Sequence, residues 1–176
     1  GDPNLRSESE LLEKVCFAIS KGKVVGWFYG QMEWGPRALG HRSILGDPRR
    51  SDMKDILNLK IKRRESFRPF APSILEEHVG EWFEILSDFD KSVPYMMKVY
   101  KFKSEKRHLV PAVCHVDGSG RLQSVNENRN GRYYRLIKKF YELNKVPMLL
   151  NTSFNENEPI VRTVQESFDC FIRTKM

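Results

Sequence analysis

With 176 residues, 40% of them hydrophobic and including 11 Phe and 3 Trp, the chain has the length and apolar content of one globular domain rather than a disordered segment. A formal net charge of +7 and a pI near 9.4 point to anionic partners, either nucleic acid or small phosphorylated ligands. No apolar run approaches the ~18 residues of a membrane span. Cys16, Cys114 and Cys170 lack CxxC spacing and His41, His78, His108 and His115 lack metal-ligand spacing, so neither a disulfide framework nor a metal site is expected, and the cysteine usage suits the reducing cytoplasm.

The opening Gly1-Asp-Pro-Asn-Leu-Arg-Ser7 has no initiator Met and no apolar leader, and reads as the boundary of a piece cut from something longer. Ser7 and Glu10 have the spacing of a capping box ahead of an amphipathic helix carrying Leu11, Leu12, Val15, Ala18 and Ile19, stopped at Gly22. Residues 1–22 thus form a helical lead-in, and 23–176 the domain proper. Lys23–Tyr29 reads as a buried strand, Asp52–Leu59 as a short helix, Phe70–Leu75 as a strand and Glu76–Leu86 as a helix around Val79, Trp82 and Phe83. Pro94–Phe102 is strand-like. Val110–Val116 and Arg121–Asn126 flank Asp117-Gly-Ser-Gly120, the pattern of a hairpin. Tyr133–Leu143 opposes Tyr133, Ile137, Phe140 and Tyr141 to Arg132, Arg135, Lys138 and Lys139, as an amphipathic helix does. Pro147–Leu150 is a buried strand, Asn151–Pro159 a polar loop, and Thr163 the cap of a last helix through Phe168 and Ile172. Alternating helices and strands give an α/β class with a mixed sheet.

The chemistry concentrates between Gly30 and Pro72, where 10 Lys/Arg face 5 Asp/Glu, so that +5 of the net +7 lies there. Guanidinium forks match phosphate and carboxylate oxygens two at a time. Here they stand among Gly35, Pro36, Gly40, Gly46, Pro48, Pro69 and Pro72, which restrict or direct the backbone, and among Ile44, Leu45, Phe67 and Phe70, which a disordered basic tail would lack. Gly35-x4-Gly40-His-Arg-Ser is a poor P-loop, because no Lys-Ser/Thr follows Gly40 and Gly46-Asp-Pro48 breaks any helix. Arg37 and Arg42 fit either an anion site or surface pairs with Glu33 and Asp47. Lys62, Arg63, Arg64 and Arg68 fit a solvated face, although Phe67-Arg68-Pro69-Phe70 is an unusual setting for an idle charge. If the segment is extended, Lys62 and Arg64 share a side and Arg63 takes the other. His115 is either a hydrogen-bonded structural residue or a ligand. Asn151, Ser153 and Asn155 share a face if extended. They lie beyond the carboxyl end of a buried strand, where ligands of open α/β sheets bind, or they form a plain polar turn.

Several stretches in order resemble the C-terminal domain of the O-carbamoyltransferases of the nodulation-protein and antibiotic-tailoring type. They are Met32-Glu-Trp-Gly-Pro-Arg-Ala-Leu-Gly40, Arg42-Ser-Ile-Leu45, Lys62 with Arg64-Glu65, Phe67-Arg-Pro-Phe-Ala-Pro72, His115-Val-Asp-Gly118, Leu150-Asn-Thr-Ser-Phe-Asn155 and Glu158-Pro-Ile-Val161. The resemblance implies a YrdC-like twisted mixed sheet that makes carbamoyl-adenylate and pyrophosphate from ATP and carbamoyl phosphate, with Mg²⁺ bridging phosphates. A separate N-terminal Kae1-like domain, absent from these residues, then carries the group to an acceptor hydroxyl. It implies catalytic roles for Lys62, Arg64 and Arg68, and ligand roles for Arg37, Arg42, His115, Arg121, Asn151, Ser153 and Asn155. Gln31 stands where the family pattern has Arg, Ser66 where Pro or an aromatic is commoner, and Asn157 where Gly is usual, which a left-handed Asn would satisfy. A basic RNA-binding module and a structural domain docked on an acidic partner are the rival readings; nucleic acid is the weaker expectation for a partner.

Overall fold

Short apolar segments become strands where they can pair with one another. In the computed structural model, which describes residues 7–176, these are β1 (Val25–Phe28), β2 (Arg42–Gly46), β3 (Ala71–Leu75), β4 (Lys98–Lys101), β5 (Ser119–Val125) and β6 (Met148–Ser153). The six residues before Ser7, read above as part of a boundary segment, lie outside the described residues. The strands form one sheet in the order β1-β2-β6-β3-β5-β4, with β3 and β5 parallel and every other pair antiparallel. The central β2 and β3 are buried along their whole length, whereas β4 at the edge is mostly exposed.

Five helices accompany the sheet: α1 (Glu8–Ser20), α2 (Met53–Asp55), α3 (Val79–Trp82), α4 (Glu127–Asn144) and α5 (Val164–Thr174). Ser7 caps α1 by accepting from the Glu10 amide at 3.2 Å, as its spacing foretells. The helix turns Leu12, Cys16 and Ile19 inward and lies against α4, where Cys16 Sγ meets the Leu136 carbonyl at 3.4 Å. α4 starts earlier than its apolar stripe suggests, because Asn126 caps it through the Arg129 amide. It kinks at Gly131 and buries Tyr133, Leu136, Ile137 and Phe140. Thr163 and Glu166 form a full capping box at α5. That helix buries its small residues Ser167, Cys170 and Thr174, while Phe168 and Ile172 are exposed.

The mixed α/β sheet expected from the alternation is met, but several local expectations are not. Residues 42–46, given no strand from the sequence, pair on both sides and form β2. The helix expected over Glu76–Leu86 is a 3-10 turn at Glu76–His78 followed only by α3. It ends because Phe83 turns extended and bridges Phe102, their rings 4.1 Å apart. Val110–Val116 forms turns rather than the first arm of a hairpin, and β5 instead takes β4 and β3 as neighbours. Asp117 makes the tight reversal by accepting from the Ser119 amide and hydroxyl. Asn157 is not among the described residues with positive φ, so the left-handed conformation proposed for it does not occur.

Candidate functional site

Three polar side chains at the centre of the sheet build the floor. Ser73 on β3 donates to Gln123 Oε1 on the neighbouring β5 at 2.7 Å. Asn151 on β6 donates to Ser73 Oγ at 2.9 Å, and all three residues are buried. Gln123 and Asn151 then reach up to the loop between β1 and β2, donating to the carbonyls of Leu39 (2.9 Å) and Ala38 (3.0 Å). Because Asn151 Nδ2 faces a carbonyl, its amide orientation is set. Its Oδ1 is left buried with no hydrogen-bond partner.

That loop is organised around Glu33. One of its carboxylate oxygens accepts from the amides of Leu39 (2.7 Å), His41 (2.6 Å) and Arg42 (3.4 Å). The amide concavity that a P-loop would offer to phosphate is therefore filled by the protein's own carboxylate, and a strand rather than a helix follows. Trp27 Nε1 holds the Gly40 carbonyl at 2.9 Å, and the Gly40 amide donates to Ser43 Oγ. Gly40 has φ +108, and a Cβ there would stand 2.2 Å from the Tyr133 ring. Only glycine fits.

The loop so fixed presents Arg37 to a cleft of about 140 Å³ that is also lined by Arg64, Arg121, Asn151 and Ser153. Arg121 projects from β5. Burial lowers its pKa, and the neighbouring Arg37 charge lowers it further. Arg64 follows a π-helix (Ile56–Ile61) whose buried Asn58 accepts from Arg64 Nε at 2.7 Å and donates to the carbonyls of Ser66 and Arg68 at 3.0 Å. Arg64 also lies over the Phe70 ring, and burial followed by the Arg68 charge lowers its pKa. None of Arg37, Arg64 and Arg121 forms a salt bridge among the described residues, although most other cations do (Arg49, Arg63, Arg129, Arg132 and Lys101 are examples). The half-buried Arg64 and Arg121, brought together with the exposed Arg37 in a cleft that no carboxylate lines, form a place where an anion relieves repulsion and, for Arg64 and Arg121, the cost of burial.

The remaining residues singled out in the sequence lie around this cleft in other roles. Lys62 is buried, and its ammonium meets four oxygens: Ser153 O at 2.6 Å, Ser153 Oγ at 3.3 Å, Asn155 O at 2.6 Å and Asn155 Oδ1 at 2.7 Å. It ties the helical segment to the end of β6 and holds Ser153 and Asn155 in place. The extended geometry assumed for residues 62–64 is absent, since Lys62 is helical and Arg63 has φ 45. Arg63 points to Glu156 at 3.0 Å, away from the cleft-lining set. Arg42 is buried under β1, donating to the carbonyls of Tyr29, Gly30 and His41 with its guanidinium 3.6 Å from the Phe28 ring centroid. The sequence pairings of Arg37 with Glu33 and Arg42 with Asp47 do not form; Asp47 pairs with Arg49. Arg68 pairs with Glu65 at 3.3 Å outside the cleft lining. His115 shares a hydrogen bond with Ser119 Oγ at 3.1 Å, and burial lowers its pKa. Sequence reasoning missed Glu33, Asn58, Ser73 and Gln123. Only Glu33, inside a Gly-rich loop, carried a legible signal; the other three matter through partners 6 or more residues away.

Among the described residues no cluster of three metal-ligating side chains occurs, and no carboxylate lines the cleft, so the described residues alone form no all-protein cage for Mg²⁺. No helix among the described residues is long and apolar enough to cross a membrane.

The same arrangement of elements appears in part of full-length HypF, solved in a phosphate- and nucleotide-bound form: TM-score 0.66 at 17% identity, covering 92% of this chain and 23% of that one. The chain is 49% identical to nodulation protein NolNO of Sinorhizobium fredii over 90% of its length and 23% of that protein's. It is 40% identical to 3'-hydroxymethylcephem-O-carbamoyltransferase of Amycolatopsis lactamdurans over 82% of its length and 26% of that enzyme's. Protein sll1178 of Synechocystis is 46% identical, over 97% of this chain and 30% of that protein. The chain thus spans less than a third of the length of these relatives. Residues 17–176 match the family described as "Carbamoyltransferase C-terminus", and the chain belongs to that family.

Proposed function

We propose that this domain binds ATP and carbamoyl phosphate and forms carbamoyl-adenylate for an O-carbamoyltransferase. The observation that carries the reading is the convergence of Arg37, Arg64 and Arg121, without salt-bridge partners among the described residues, on one cleft. Family membership supplies the carbamoyl group, and the nucleotide-bound HypF supports a nucleotide.

Carbamoyl phosphate and water give carbamate and phosphate. A carbamate oxygen then attacks the α-phosphorus of ATP, a new P–O bond forms, the bond to the bridging oxygen of the β-phosphate breaks, and pyrophosphate leaves. Charge develops on non-bridging and leaving oxygens, and fixed cations stabilise it without a covalent nucleophile. Arg37, Arg64 and Arg121 fill that role directly. Asn151, Gln123 and Glu33 hold the loop that presents Arg37, while Lys62 orients Ser153 and Asn155. Arg68, Arg42 and His115 belong to the supporting shell. Any Mg²⁺ would travel on the phosphate oxygens. Transfer to the acceptor hydroxyl falls to an N-terminal Kae1-like domain of a longer parent chain, in a cytoplasmic setting.

Calorimetric titration with a non-hydrolysable ATP analogue tests the reading. Arg121→Ala, Arg37→Ala and Arg64→Lys should each weaken binding by about 1.5–3 kcal/mol, roughly tenfold to a hundredfold in Kd. Arg63→Ala should cost far less, because that side chain pairs with Glu156. Equal small losses at all four positions would sink the proposal in favour of a diffuse basic face.

A further inference from the structure

The arginine cleft is too small for a whole nucleotide. At about 140 Å³ it has room for a phosphoryl or carbamoyl-sized group, well below the 300–1,000 Å³ usual for cofactor-sized ligands. A second, larger concavity of about 620 Å³ opens directly from it, and Pro36, Arg37, Met96 and Arg121 line both. The wall of this groove changes in character. Trp34, Leu39, Tyr95 and Met97 add aromatic and thioether surface, and Trp34 is fully exposed, Met97 82% and Tyr95 63% exposed. Flat aromatic and soft sulfur surface beside anchored cations suits a planar π-system joined to a polyanion.

The backbone supports a built wall rather than an incidental one. Met96 is buried at φ 55, a left-handed conformation that a non-glycine side chain adopts only when its surroundings impose it. On the opposite side, Trp34 sits one residue from Glu33, whose three amide contacts fix the loop.

We infer that the groove formed by Trp34, Tyr95, Met96 and Met97 is the base subsite of the nucleotide whose phosphates occupy the arginine cleft, with Trp34 stacking on the base. This rests on the proposed nucleotide binding and goes beyond it by naming where the base lies. Trp34 would be a binding and specificity residue, not one that touches the reacting phosphorus.

The test compares tripolyphosphate, adenosine and a non-hydrolysable ATP analogue on the 176-residue chain, with tryptophan fluorescence as the second readout. Trp27 and Trp82 are buried, so quenching by the base reports Trp34. The ATP analogue and adenosine should quench, whereas tripolyphosphate should not. Trp34→Ala should weaken the analogue roughly tenfold or more, the size of one base–aromatic stack, and leave tripolyphosphate within about twofold. Trp34→Phe should retain most of the affinity while losing the signal. If tripolyphosphate binds with arginine-dependent affinity but the analogue binds no tighter and leaves Trp34 unquenched, the base subsite is overturned while the anion site stands. The groove would then be a surface for protein contact. If no probe binds in an arginine-dependent way, the nucleotide reading itself falls, and the subsite with it.

Discussion

Lys62 shows how far a residue's surroundings can depart from its sequence setting. It lies in a run of four charges ending at Glu65 that reads as a solvated face, yet its ammonium is buried among four oxygens. Burial pulls its pKa from 10.5 to about 7, and the Arg64 charge adds to the effect. A lysine depressed in this way binds fewer protons folded than unfolded between those two values, so its contribution to stability rises with pH through that window and is unfavourable below it. Against Lys62→Met, the wild type should therefore gain roughly 1 kcal/mol per pH unit between pH 7 and 9 in urea melts. A flat difference would mean that the four acceptors keep the ammonium charged throughout. Gly40 poses the opposite case, a residue without a side chain whose place is set by φ +108 and by the Tyr133 ring. Gly40→Ala should cost more than about 3 kcal/mol, because strain and overpacking add at one site; a loss below 1 kcal/mol would show that Tyr133 can move aside.

At the scale of elements, the loop between β1 and β2 is the piece on which the site depends. Its carbonyls are held from below by Gln123 and Asn151, and its amides from within by Glu33. Glu33→Gln retains an acceptor but removes the charge that strengthens those bonds, and should cost about 1.5–3 kcal/mol of stability. Phosphate affinity should fall with it, and the further loss on adding Arg37→Ala should be smaller than in the wild type, since a loosened loop no longer aims Arg37. Additive effects would separate Glu33 from Arg37. The π-helix over Ile56–Ile61 has a comparable part, placing Asn58 where it can hold Arg64 and two loop carbonyls at once. A regular helix was the expectation for that stretch, and nothing local distinguishes the wider turn. Its partners lie across the segment that follows.

Over the whole molecule, the net charge of +7 overstates the free positive surface. Lys98, Lys101, Lys106, Arg129, Arg132 and Arg135 all pair with carboxylates, whereas Arg37, Arg64 and Arg121 share one cleft without such partners among the described residues. Binding to single-stranded RNA should therefore be weak, with a shallow salt slope of about one to three phosphates neutralised; a slope corresponding to six or more would revive the nucleic-acid reading. By itself the sequence determined the mixed α/β class, helices α1, α4 and α5 with the caps of α1 and α5, and the arginine-bearing stretch with its family resemblance. Periodicity, capping chemistry and short ordered motifs are local properties that survive without knowledge of the fold. Only the tertiary structure decided that residues 42–46 are a strand, that β5 pairs with β4 and β3, and which arginines face the cleft. Strand pairing and charge partnership join residues far apart in the chain. Arg37, Arg64 and Arg121 look no different in sequence from Arg42, Arg63 and Arg68; what separates them is that the fold gives the latter three a carbonyl set, Glu156 and Glu65, and sets the former three along one cleft with no salt bridge among the described residues.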